Sequence, residues 1–144
     1  MSDRENNCKF TQLSSEVNRL LVEILKGKIH RATITEADLN YVGSLTLDED
    51  LMDAAGFREY EKIQVLDISN GNRIETYIIR GKRSSGNVCI NGAAAHLIHK
   101  GDLVIIVGYC QLTEEESIYH IPKIAYVNSQ NQLVSVITEE TTPA

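Results

Sequence analysis

Six strand-length runs, each bounded by turn-forming residues, constrain what this chain can fold into: residues 62–68, 74–80, 87–90, 103–109, 123–127 and 133–138. They are short for helices and rich in Val, Ile, Leu and Tyr, which suits half-buried or buried strands. Asn70-Gly71 separates the first two runs, a strong hairpin signal because both central positions of a tight hairpin turn need positive φ. Asn128-Ser129-Gln130-Asn131 is a second turn candidate. Further upstream, Ile29, Arg31, Thr33 and Thr35 alternate with His30, Ala32 and Ile34, the period of an extended segment. Helical signals are few. Asp48 can cap a short helix over residues 49–55, stopped by Gly56, and residues 92–100 read as one helix closed by Gly101. Val17, Leu20, Leu21 and Ile24 fall at the helical period. Many short strands with one or two small helices predict a mostly β barrel rather than a sandwich of long hairpins.

Charge and cysteine usage narrow the function classes. The 144 residues, 42% hydrophobic, suffice for one domain with a core. Fourteen basic against 20 acidic side chains give a net charge of -6, which argues against nucleic acid as a partner. A small anionic substrate stays open, because local charge in a site can oppose the total. Cys8, Cys89 and Cys110 form no CxxC unit, and their odd count predicts a reducing, cytoplasmic setting without a disulfide framework. The longest apolar run, from Leu103 to Val107, is strand-sized, far below the ~18–20 residues that span a bilayer, so no membrane partner is expected. Met1 to Asn7 lacks the basic and apolar regions of a signal peptide. His96 and His99 stand three apart without an HExxH frame, so no metal is expected. Glu114-Glu115-Glu116 reads as a solvated surface.

Several segments together resemble the bacterial aspartate 1-decarboxylase family. They are Lys26-Gly27-Lys28-Ile29-His30-Arg31-Ala32, Glu36-Ala37-Asp38-Leu39-Asn40-Tyr41-Val42-Gly43-Ser44 and Leu51-Met52-Asp53-Ala54-Ala55-Gly56. Asn70-Gly71-Asn72-Arg73, Thr76-Tyr77, Asn91-Gly92-Ala93-Ala94-Ala95-His96 and Gly101-Asp102-Leu103-Val104-Ile105-Ile106 follow in the family's order. The resemblance covers roughly residues 21–138. It implies a double-psi β-barrel that assembles into a homotetramer with active sites between neighbouring subunits. Residues 1–20 would be an N-terminal extension, and residues 21–144 the barrel. It also places a first strand near residues 22–34, where the periodicity favours helix up to residue 24.

The same resemblance makes Gly43-Ser44 the bond of an autocatalytic cleavage, so that the encoded chain is a proenzyme. The Ser44 hydroxyl would attack the Gly43 carbonyl, shifting the acyl group from nitrogen to oxygen. Elimination and hydrolysis would then leave chains 1–43 and 44–144, with Ser44 converted to a pyruvoyl group. Glycine is expected there because it tolerates a strained backbone and leaves its carbonyl open. A pyruvoyl ketone forms a Schiff base with a substrate amine and so provides an electron sink for decarboxylation, the role other enzymes give to a bound cofactor. The chain itself carries no phosphate-binding glycine loop for such a cofactor.

Site residues follow from the matched positions. Thr76 would stabilise the oxyanion of the acyl shift and bind substrate, and Tyr77 would protonate the carbanion. Arg73 would clamp a substrate carboxylate, with Lys28 as a second cation. Asn91, Gly92, Ala93 and Ala94 would hold the substrate at the start of the predicted helix, whose N–H groups favour an anion. On this reading L-aspartate becomes β-alanine and carbon dioxide, feeding pantothenate and coenzyme A synthesis. Leu45 stands where some members carry cysteine or another small residue. The sequence leaves open another acid such as glutamate, and an unprocessed barrel acting as a binding module.

Overall fold

A computed structural model describes residues 20–138. The chain runs β1 (Leu21–Thr33), β2 (Glu36–Asp38), β3 (Ser44–Asp48), α1 (Glu49–Ala55), β4 (Lys62–Asp67) and β5 (Arg73–Gly81). It continues with β6 (Val88–Asn91), a 3-10 turn (Gly92–His96), β7 (Leu103–Thr113), α2 (Glu114–Tyr119), β8 (Lys123–Val127) and β9 (Leu133–Ile137). The nine strands form one sheet in the order β2-β6-β3-β5-β4-β7-β1-β8-β9. The fold is mostly β, a barrel with short helices, as the short strands predict.

Two compact units divide the described residues. The smaller holds the start of β1 up to Ile24 and residues 111–120, which include α2. There Thr113 and Glu116 form a reciprocal capping box, so the acidic run supplies the first turn of α2. The larger unit, residues 25–110 and 121 onward, carries the core. Ile29, Leu45, Leu47, Ile63, Ile78, Ile90, Ile98 and Ile106 are buried in it.

Parallel and antiparallel pairings are mixed in the sheet. β3 pairs in parallel with β5 from Leu45↔Ile78 to Asp48↔Gly81, and antiparallel with β6 from Ser44↔Asn91 to Leu47↔Val88. β4 and β5 form the expected hairpin, from Lys62↔Tyr77 to Leu66↔Arg73. Its turn is not the tight two-residue type: only Gly71 has positive φ, at 80°. Instead the Asp67 carboxylate organises the loop, its Oδ1 accepting from Ser69 N at 2.8 Å and Asn70 N at 3.3 Å. Asp48 caps α1 as expected, accepting from Asp50 N at 2.8 Å. Gly56 ends the helix at φ 75°.

Two helical expectations fail. The helix suggested by Val17, Leu20, Leu21 and Ile24 is strand from Leu21 onward, while Val17 lies outside the described residues. A helix of so few residues is marginal by itself, and pairing within the sheet outweighs the period. Residues 92–100 do not form one helix either. The 3-10 turn ends at His96, after which the His99 N–H donates to Asp102 Oδ2 at 3.0 Å and the Gly101 N–H to Ile34 O at 2.8 Å. These bonds leave the helical ladder and let Ile98 enter the core. His99 therefore sits in a turn beside Asp102, Nδ1 to Oδ2 at 3.7 Å, not at a helix end. Among the described residues no three His, Cys, Asp or Glu side chains cluster to hold a metal.

Asp67 is buried, and no donor reaches its Oδ2. Burial, aided by the neighbouring Asp102 carboxylate, pushes its pKa up from 3.8 to about 6. Asp102 is held below the usual carboxylate range, chiefly by its interaction with the neighbouring Asp67. A raised native pKa stabilises the fold fully below 3.8, and the contribution is lost as pH rises through about 6. Asp102 acts with the opposite sign, and only at lower pH. Asp67→Asn keeps the Oδ1 acceptor and offers Asp102 an N–H. Urea unfolding at pH 4 and pH 7 should show wild type losing on the order of 1–3 kcal/mol across that window, and Asp67→Asn losing little.

Candidate active site

Alternation along β3 puts Leu45 into the core with its partners Ile78 and Ile90, and Ser44 and Thr46 on the opposite face. Asn91, paired with Ser44, shares that outer face. Continuing the parallel register back by one residue sets Tyr77 level with Ser44, and Tyr77 lies opposite exposed Lys62 on β4. Glu75 and Arg73 follow on the same face by period two. Ser44, Asn91, Tyr77 and Arg73 are therefore gathered on one side of three adjacent strands.

Thr76 alternates to the other side, opposite buried Ile63. Extending the β3–β5 register back by two residues, past the start of β3, would set it level with Gly43. Lys28 lies on β1, and β4 and β7 stand between β1 and β5 in the sheet order. The fold of one chain thus brings Ser44, Asn91, Tyr77 and Arg73 to one face, with Thr76 on the other face of β5 and Lys28 on a strand further along the sheet.

The backbone at Ser44 carries the local strain. Its φ is 142°, a value L-residues rarely adopt, and such a conformation costs on the order of 1–3 kcal/mol. Ser44 is only 1% exposed, whereas Leu39, Tyr41 and Val42 just before it are exposed. Gly43 differs from expectation. It has no positive φ, and a Cβ there would meet only Asn91 O at 4.0 Å. Strain falls on the serine, and glycine's contribution reduces to an open carbonyl.

Asn91 bridges two hydroxyls of β3. Its Nδ2 donates to Ser44 Oγ at 3.3 Å and to Thr46 Oγ1 at 2.9 Å. Thr46 is the residue that sequence reasoning missed. The signal was available: period two from Ser44 places it on the same face.

Gly92 has φ 69°, and a Cβ on it would lie 2.7 Å from Gly43 Cα, 3.0 Å from Gly43 N and 3.1 Å from Tyr41 O. Here the glycine is required twice, by its dihedral and by the close approach. Ala93 is exposed and Ala94 half-buried. The predicted anion site at a helix start is absent in that form, because five residues of 3-10 turn do not build a helix dipole. Gly92→Ala should push residues 41–43 away from Asn91. Unfolding measurements should register a loss of about 1–3 kcal/mol, from the forced φ and the overlap.

A mostly-β barrel with a polar face gathered around a strained, buried serine is the class of molecule that the fold and site define. The model of the family described as aspartate decarboxylase matches residues 20–134. An aspartate 1-decarboxylase of Caldicellulosiruptor saccharolyticus is 58% identical over 121 residues, covering 84% of this chain and 94% of that one. One from Caldicellulosiruptor bescii is 54% identical over the same length, again with 84% and 94% coverage. One from Neisseria meningitidis serogroup C is 56% identical over 117 residues, covering 81% and 92%. The chain belongs to the aspartate decarboxylase family.

Proposed function

We propose that this chain is a proenzyme that cleaves itself between Gly43 and Ser44 and then decarboxylates L-aspartate to β-alanine and carbon dioxide, for pantothenate and coenzyme A synthesis. The observation that carries the reading is Ser44 itself: φ 142°, buried, with the Asn91 amide on its Oγ. Ser44 Oγ attacks the Gly43 carbonyl carbon. The C–N bond breaks, the amine of residue 44 takes a proton, and Gly43 becomes an ester of the serine. Loss of the Cα proton and of the Cβ–O bond releases residues 1–43 as a carboxylate and leaves dehydroalanine at 44. Water then replaces the nitrogen, ammonia departs, and a pyruvoyl ketone heads residues 44–144.

The residues present fit such a group. Dehydroalanine and pyruvoyl carbons at position 44 are trigonal, so the chirality penalty that Ser44 bears at positive φ disappears with the cleavage. Gly92 packs against Gly43 too closely for any side chain, so the backbone that carries the scissile bond lies directly on the start of the 3-10 turn. The ketone supplies an electron sink for loss of carbon dioxide from an amino acid.

The remaining residues have separable tasks. Thr76, level with Gly43, stabilises the oxyanion of the acyl shift and later contacts the substrate. Tyr77, on the face of Ser44, delivers the proton to the substrate Cα. Arg73 binds a substrate carboxylate as a bidentate partner. Asn91 and the backbone of Gly92, Ala93 and Ala94 hold the substrate from the β6 side. Lys28, on a strand separated from β5 by β4 and β7 in the sheet order, comes from the neighbouring subunit of a homotetramer. Residues 21–144 form the barrel and residues 1–20 an extension. A cytoplasmic setting accords with three cysteines that form no CxxC unit.

Intact mass tests the cleavage. The 16.1 kDa chain should convert on warming to two fragments split after Gly43. Borohydride with labelled aspartate should then label only the fragment that begins at residue 44. A chain that stays whole, or label on neither fragment, overturns the reading. Label from glutamate but not aspartate transfers it to the other acid.

A further inference from the structure

The Asn91 amide makes its shorter bond to Thr46, not to Ser44: 2.9 Å against 3.3 Å. Both acceptors stand on the outer face of β3, two residues apart, and Asn91 is itself only 5% exposed. An amide nitrogen has two hydrogens. One is engaged by Thr46 Oγ1, which leaves the other aimed at Ser44 Oγ. A hydroxyl that accepts this bond keeps its own proton free for transfer and its remaining lone pair free to attack. Without the Thr46 hydroxyl, the buried amide has one partner in place of two, and its torsion is no longer set by the stronger bond.

We infer that Thr46 is a positioning residue for self-cleavage: it anchors the Asn91 amide that orients Ser44 Oγ. The inference rests on the proposed cleavage at Gly43-Ser44. Thr46 touches neither reacting atom. Its effect passes through Asn91, and it follows from the β3–β6 register, in which Ser44↔Asn91 and Thr46↔Cys89 are successive same-face pairs.

Four full-length chains test it by the rate at which the intact mass splits: wild type, Thr46→Val, Thr46→Ser and Thr46→Ala. Valine keeps the shape and removes only the hydroxyl. Serine keeps the hydroxyl and removes only the methyl. Thr46→Val should cleave about tenfold more slowly, the effect of one ordinary hydrogen bond. Thr46→Ser should stay within about twofold of wild type, and Thr46→Ala should match Thr46→Val. A purely structural role predicts the reverse, with the loss following the methyl. If Thr46→Val does not fold, Thr46→Ser and Thr46→Ala still differ by one oxygen atom, and equal rates for that pair overturn the inference. Equal rates for Thr46→Val and wild type also overturn it. A wild-type chain that never splits overturns the cleavage itself, a separate outcome.

Discussion

Ser44→Ala remains a single 16.1 kDa chain however long it is warmed, and it shows no decarboxylase activity above background. The first half follows because alanine brings no oxygen to the Gly43 carbonyl. The second follows because no ketone forms at position 44. Enzymes typically accelerate their reactions by ~10⁶-fold or more, so removing the electron sink removes all measurable turnover. Ser44→Gly makes the comparison sharper. It is equally uncleavable, but glycine accepts φ 142° without penalty. Ser44→Gly should therefore be more stable than Ser44→Ala by about 1–3 kcal/mol in urea. Equal stabilities would mean that position 44 stores no strain. Residual activity in Ser44→Ala would mean that the ketone does not come from this residue.

Tyr77→Phe should process normally and then turn over slowly. The phenol shares the outer face with Ser44, and Tyr77 is 38% exposed, open on the side where a substrate would lie. Removing the hydroxyl removes the proposed proton donor and little else, because the ring still covers the strand. A positioned general acid contributes ~10²–10⁴-fold, so kcat should fall by that factor with KM little changed. Time courses of intact mass should superimpose on wild type. Unchanged kcat would remove Tyr77 from the chemistry. Slowed cleavage would place it in maturation instead.

Local signals carried much of the architecture. Residues 62–68, 74–80 and 123–127 read as strands on composition and turn punctuation, and they are β4, β5 and β8 within a residue or so. Asp48 and Gly56 bracketed α1 because caps are local chemistry, settled within one turn of helix. Where partners were distant, local reading failed. Leu21 and Ile24 followed a helical period, yet the sheet claims them as strand. Residues 97–100 looked helical until bonds to Asp102 and Ile34 drew this stretch out of the ladder.

The site divides along the same line. Gly43, Ser44, Thr76, Tyr77, Arg73 and Asn91 were legible as motif residues, because residue type and order survive in one dimension. Their arrangement was not legible. That Tyr77 shares a face with Ser44 while Thr76 turns to the other side depends on two registers, β3 with β5 and β4 with β5. Thr46 gained its place only when the amide of Asn91, 45 residues away, came within hydrogen-bond reach of it.

By itself, then, the sequence determined the chemistry on offer: a nucleophilic serine after a glycine, a phenol, a guanidinium and an amide, on a chain of short strands. Only the tertiary structure decided where the strain falls. Glycine was the expected bearer at position 43, but φ 142° belongs to Ser44, held there by pairing with Asn91 and by the close packing of Gly92 on Gly43. The physical reason is that a dihedral is set by what both flanking segments must reach. For Ser44 those segments are β3, on the core, and an exposed stretch passing over β6.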